Sequence, residues 1–154
     1  MKDKIIQRIL DALSWGRVDL ENIIFATPES ALHDPFLYTN MDKLVTKLYE
    51  FKLSQDKDRN RLLIIDTDYD TDGIMSACVL TAALSLFNIN HRIYIPSMVD
   101  GYGLNIKAID DMRRNFPNIS CILTADNGTN AYEGVAYAKQ LGIEVLVTDH
   151  HLGS

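Results

Sequence analysis

Carboxylate and imidazole side chains gather at three points along the chain. Asp66, Asp68, Asp70 and Asp72 alternate through LLIIDTDYDTDG, which ends at Gly73; Asp126-Asn127-Gly128 follows further on; Asp149-His150-His151 comes last. Carboxylates this close repel one another strongly unless a cation neutralises them. Hard divalent ions such as Mg2+ and Mn2+ favour carboxylate oxygens, and an added imidazole shifts the preference toward Mn2+. Asp68, Asp70 and Asp72 in one turn, with Asp126 and His150 from the other two points, supply enough ligands for one or two such ions. Two ions about 3.5–4 Å apart, bridged by a carboxylate, stabilise both the attacking and the leaving oxygens of an in-line phosphoryl displacement. Water held between them loses a proton near neutral pH and becomes the nucleophile.

Other chemistries fit these residues less well. The DxDxDG pattern also opens a calcium-binding EF-hand loop, but counting from Asp68 the bidentate glutamate falls at Val79, and a buried strand precedes the loop. Asp66-Thr67-Asp68 could serve as nucleophile and acid of a phosphatase that forms an aspartyl-phosphate. That reading leaves Asp149-His150-His151 unexplained. Taken alone, Asp126 before a turn and helix would be a helix cap, and a His pair is commonly solvated. No Ser/His/Asp arrangement and no GxxxxGK[ST] phosphate loop competes.

The elements between these clusters are legible from periodicity. Leu62 to Ile65 is a short apolar run, the pattern of a strand buried on both faces. Helical spacing follows from Gly73 to about Phe87, then a strand from His91 to Ile95 ended by Pro96. A loop with Gly101-Tyr102-Gly103 leads to a helix from about Asn105 to Arg114. Cys121 to Ala125 is a strand delivering Asp126, Ala131 to Leu141 a helix stopped by Gly142, and Ile143 to Thr148 a strand delivering Asp149. Upstream, Ile5, Ile6, Ile9, Leu10 and Leu13 predict a helix over 2–14. Asn40 suits the N-cap of another, which runs to about Leu53 before the polar turn SQDKDRNR. Alternating strands and helices predict an α/β fold, a parallel Rossmann-like sheet with flanking helices preceded by an N-terminal helical segment. The C-terminal ends of parallel strands share one edge, where ligands collect, so the three clusters converge.

Composition is compatible with this. At 154 residues, with 47% hydrophobic and 23% charged residues, the chain has the length and make-up of one globular domain. No apolar run approaches the roughly 20 residues of a membrane span. Cys78 and Cys121 both sit among apolar neighbours and read as buried thiols in a reducing compartment, so a cytoplasmic protein is expected. The net charge of −6 argues against a surface that grips nucleic acid unaided, although an acidic metal site counts as negative until it is filled.

With the clusters in this order, the chain resembles the DHH phosphoesterase superfamily and, within it, the RecJ-type single-strand-specific DNA exonucleases. LHDPFLYTNMDKLV is similar to the segment leading into the family's first motif, and LLIIDTDYDTDG to that motif. IYIP followed by GYGL is similar to the next loop, LTADNGTNA to the second motif, and GIEVLVTDHH carries the name-giving triad. The resemblance implies Asp68, Asp70 and Asp72 as first-motif metal ligands, with Asp70 bridging, joined by Asp126 and His150. It implies that Asp149 and His151 orient those ligands or contact the scissile phosphate, so that Asp70, Asp149 and His151 carry the catalysis. It further implies Mn2+- or Mg2+-dependent hydrolysis of phosphodiesters, 5′ to 3′ on single-stranded DNA or short oligonucleotides.

Some positions depart from the family pattern. Ser97-Met98 stands where the family has Asn-Arg, and Asn127 and Thr129 stand where Cys and Ile are common. The family domain continues to a further aspartate and a second, substrate-binding domain, whereas this chain stops at Ser154. The resulting expectation is a helical lead-in over 1–60 and a DHH-like α/β domain over 61–154. That domain would belong to a metal-dependent exonuclease, weak or inactive by itself, which a C-terminal domain or another subunit completes. The alternative is a non-catalytic binding or scaffold module, or one part of a split nuclease in replication or repair.

Overall fold

The computed structural model describes residues 8, 26–27, 32–97, 101 and 103–153. The chain divides into two compact units, 1–41 and 42–154. In the first, a short 3-10 helix, Pro35–Leu37, is capped by Asp34, whose Oδ1 accepts from Phe36 N at 2.9 Å. The helix expected over 2–14 lies outside the described residues, Arg8 apart. Asn40 does not cap the next helix in the expected way. Its φ of 64° is left-handed, a region asparagine tolerates, rather than the extended backbone of an N-cap.

The second unit alternates helices and strands, in the order α1 (Met41–Lys57), β1 (Leu62–Thr67), α2 (Thr71–Leu86), β2 (His91–Tyr94), α3 (Ile106–Asn115), β3 (Ile119–Ala125), α4 (Tyr132–Gln140) and β4 (Glu144–Leu146). All strand pairs are parallel and the sheet order is β2-β1-β3-β4. β1 therefore sits inside the sheet, and every residue of it is buried.

Alternation of side chains along β1 and β3 builds two cores. Leu63, Ile65, Cys121 and Leu123 face Phe51 of α1 and Ala77 and Leu84 of α2. Leu62, Ile64 and Ile122 face Ala108, Ile109 and Met112 of α3 and Ala138 of α4. A period-2 strand between two helical layers must be apolar on both faces, which is why LLII reads as a continuous run. Asn105 caps α3 through an Oδ1 that accepts from Ala108 N at 3.0 Å. Gly142, at φ 74°, follows α4 in a conformation that costs glycine little.

Several local expectations change. α1 continues through SQDK to Lys57, because Gln55 is buried and bonded instead of solvated. Gln55 Nε2 donates to the carbonyls of Arg61 and Asn90, and its Oε1 accepts from Asn90 N, tying the helix to the start of β1 and of β2. α2 begins at Thr71, two residues before the expected Gly73, because Asp70 caps it. Cys121 is buried but Cys78 is exposed on α2, so only one of the two thiols belongs to the core. Among the described residues no helix is long and apolar enough to cross a membrane.

Candidate metal centre

The order β2-β1-β3-β4 reverses direction at β1 and β3, with α2 on one face of the sheet and α3 and α4 on the other. Between two such strands the loops at their C-terminal ends diverge and leave a crevice. Asp68 to Asp72 leave β1 there and Asp126 leaves β3 there, while the chain after β4 brings in Asp149 to His151.

Hydrogen bonds beyond the strand ends fix these loops. Asp68 N donates to Ala125 O at 3.2 Å and Asp126 N to Thr148 O at 3.0 Å. Thr124 and Thr148 are paired twice: Thr148 N donates to Thr124 Oγ1 at 3.1 Å, and Thr148 Oγ1 donates to Thr124 O. Asn127, fully buried, donates from Nδ2 to Asp66 O at 3.1 Å and so joins the end of β1 to the end of β3. Gly73 lets α2 descend onto this turn: a Cβ there would lie 2.7 Å from Asp68 O.

Within that frame, ligand atoms of Asp68, Asp70 and Asp126 all lie within 4.8 Å of one another, as do those of Asp126, His150 and His151. Asp126 is common to both groups. Its carboxylate is buried, and neither oxygen has a hydrogen-bond partner. His150 Nε2 lies 2.8 Å from Asp126 Oδ1, without the alignment of a hydrogen bond. Burial raises the Asp126 carboxyl above its ordinary range; Asp72 and Asp70 add to this, against His150 and His151. Orphaned buried carboxylate oxygens facing an imidazole nitrogen across such a distance fit the ligand set of one divalent cation, which removes the cost of gathering them.

The other anticipated residues take distinct places. Asp70 caps α2 through Oδ1, which accepts from Gly73 N at 3.1 Å, and also stands in the acidic group. Asp72 is exposed at the rim, outside both groups, with Oδ2 at 3.8 Å from His150 Nε2. Asp149 is half-buried, with its carboxylate turned inward: Oδ2 accepts from Thr129 N at 2.9 Å and Oδ1 accepts from His151 Nδ1 at 2.6 Å. Burial opposes its ionisation, but the bonds from Thr129 and His151 outweigh that and hold the carboxyl far below the usual range. The same contact with Asp149 raises the His151 imidazole.

Sequence reasoning missed three features. His151 has ligand-like geometry beside His150, although the adjacent pair offered that signal. Asn127 appeared only as a departure from a pattern, whereas it pins two strands together. Asp66 lies outside the ligand groups yet is fully buried with both carboxylate oxygens unpartnered, and burial pushes it up to about 7 against the nearby Asn127 amide. Met98 and Tyr102 lie outside the described residues.

Residues 62–154 match the model of the DHH family, N-terminal domain. The single-stranded-DNA-specific exonuclease RecJ of Bacillus subtilis is 27% identical over 148 residues, 96% of this chain and 18% of that protein. RecJ of Haemophilus influenzae is 34% identical over 128 residues, 82% of this chain and 21% of that protein. The chain thus spans about a fifth of the length of these relatives. The fold is similar to the crystal structure of RecJ in complex with Mn2+ from Thermus thermophilus, with a TM-score of 0.58 at 20% identity, over 75% of this chain and 15% of that one. It is also similar to exonuclease RecJ bound to manganese, with a TM-score of 0.53 at 23% identity, over 70% of this chain and 28% of that one.

Proposed function

The chain belongs to the DHH family, as its N-terminal domain, and from that premise we propose that it carries metal-binding residues of a RecJ-like, Mn2+- or Mg2+-dependent phosphodiesterase acting on single-stranded DNA. The observation that carries this reading is the Asp126 carboxylate, buried, without a hydrogen-bond partner and shared between the acidic group and the histidines. Asp68, Asp70, Asp126 and His150 would hold the metal, with Asp72 at the rim. Relatives bearing the RecJ name act on single-stranded DNA, which supports that substrate class; our reading gives the chemistry to 61–154. Two unpaired thiols, Cys78 and Cys121, agree with a cytoplasmic setting.

When bound, the metal neutralises phosphate charge and lowers the pKa of a coordinated water. The residues of the chain do the positioning. Asp149 holds His151 through Nδ1 and, in the neutral imidazole, leaves the lone pair on Nε2, the arrangement that orients histidines in metal sites. Asp70 spends one oxygen on the first turn of α2, which anchors its carboxylate and leaves the other oxygen for the ion. Asp68 Oδ1 accepts from Tyr69 N at 2.6 Å, which fixes its carboxylate plane.

The test is degradation of 5′-labelled single-stranded DNA with Mn2+, beside an Asp70→Ala control and Mn2+ calorimetry on both proteins. Cleavage by the wild type that is absent from the control would support the nuclease reading. Mn2+ binding without cleavage would identify a domain that needs further chain or a partner for turnover. Neither cleavage nor Mn2+ binding would overturn the metal site itself.

A further inference from the structure

A cavity of about 600 Å3 opens beside the metal centre, between the N-terminal turns of α3 and α4, and none of the ligand assignments uses it. Its volume lies within the range of about 300–1,000 Å3 typical of small-molecule sites. It shares His151 with the centre, and Gly128, two residues after Asp126, is on its wall. Leu104, Ile106 and Ala131 make an apolar lining, and Tyr132 stands at the wall with its side chain exposed. No Lys or Arg is among the described lining residues, and Glu133 contributes a carboxylate, so this hollow does not suit phosphate. An apolar floor, an exposed aromatic ring and a hydrogen-bond acceptor suit a neutral aromatic heterocycle.

We propose that this cavity takes the base of a nucleotide whose phosphodiester reaches the metal centre, with Tyr132 as the stacking face; the proposal rests on the nuclease reading above. Single-stranded nucleic acids are held largely by stacking on aromatic side chains, which tolerates any base because every base has a π face. Glu133 could accept from an exocyclic amino group, as carboxylates do from cytosine, and would favour bases that carry one. α4 has no side-chain cap at Ala131, so its first-turn N–H groups are unclaimed by a capping side chain at this wall. Shape provides room for Tyr132 as well: Gly134 meets Leu104 so closely that a Cβ would lie 2.2 Å from Leu104 O, which draws α4 against the chain entering α3 and sets the width of the cavity.

The experiment measures binding of a phosphorothioate-linked hexadeoxyadenylate, and of its fully abasic counterpart, to the whole chain with Mn2+. Fluorescence anisotropy is read for wild type, Tyr132→Ala and Tyr132→Phe, and circular dichroism checks the fold of each. Wild type should prefer the base-bearing oligonucleotide by about 5- to 150-fold, the equivalent of one stacked base. Tyr132→Ala should lose most of that preference while binding the abasic oligonucleotide as wild type does, and Tyr132→Phe should keep it. An unchanged preference in Tyr132→Ala, or equal binding of both oligonucleotides by wild type, would overturn the cavity and leave the metal site standing. Binding of neither oligonucleotide with Mn2+ bound by calorimetry overturns it in the same way. Absence of Mn2+ binding as well brings down the nuclease reading, and the cavity proposal with it.

Discussion

Asp126 combines a left-handed backbone (φ 63°) with a buried carboxylate that has no hydrogen-bond partner, His150 Nε2 lying beside it at 2.8 Å. Each feature costs free energy, and aspartate tolerates the first better than most residues. Both costs are understandable if the side chain is there for a cation. Asp126→Asn should therefore weaken Mn2+ binding by more than about 100-fold, beyond the usual effect of changing a supporting residue. Its metal-free melting temperature should stay level or rise, since a buried charge has been removed. Asp149 differs, because its oxygens are occupied by Thr129 and His151. Asp149→Asn should cost about 10–100-fold in Mn2+ affinity by calorimetry, acting through the orientation of His151. The thiols make a separate contrast. Cys121 is fully buried and its thiol is pushed up to about 12 by burial, whereas Cys78 is exposed. A thiol reagent should label Cys78 in the native protein and reach Cys121 only after unfolding.

The turn between β1 and α2 is where local rules and the site meet. Replacing a helical glycine by alanine ordinarily stabilises by about 1 kcal/mol. Gly73 is an exception, because the added Cβ would come within 2.7 Å of Asp68 O and 2.8 Å of Asp68 Cβ. Backbone cannot yield as a flexible side chain does. Gly73→Ala should destabilise by about 1–3 kcal/mol in denaturant titrations and should weaken Mn2+ binding by displacing Asp68. The strands were legible because LLII and CILTA are short, mostly apolar runs with acidic ends, the pattern of a doubly covered parallel strand. The helix boundaries were less so. Asp70 reads equally as ligand and cap, and nothing in SQDKDRNR announces that Gln55 turns inward to bond Asn90, thirty-five residues away. The cavity was invisible for a related reason: its lining comes from three separated stretches whose residues, Tyr132 among them, look ordinary in each.

At the scale of the whole α/β unit, the sheet order concentrates charge at one edge. Asp68, Asp70, Asp72, Asp126 and Asp149 all follow the C-terminal ends of β1, β3 or β4, and the chain has a net charge of −6 to begin with. Two cores hold the strands rigid behind that edge, so the carboxylates cannot relax apart without breaking Leu63, Ile65 and Leu123 out of one layer or Ile64 and Ile122 out of the other. Folding and metal binding are then coupled: whatever free energy the cation gains by pairing with preassembled carboxylates is added to the stability of the sheet. Free Mn2+ at about 100 times its dissociation constant would contribute about 2.7 kcal/mol, provided the unfolded chain binds it weakly. For a unit of this size that corresponds to a rise of about 10 °C in melting temperature. The expected result is a Mn2+-dependent increase of that order in wild type, reversed by a chelator and absent in Asp126→Asn. An equal increase in the variant would mean that the ion acts elsewhere on the acidic surface, and would separate general charge screening from occupation of the crevice between β1 and β3.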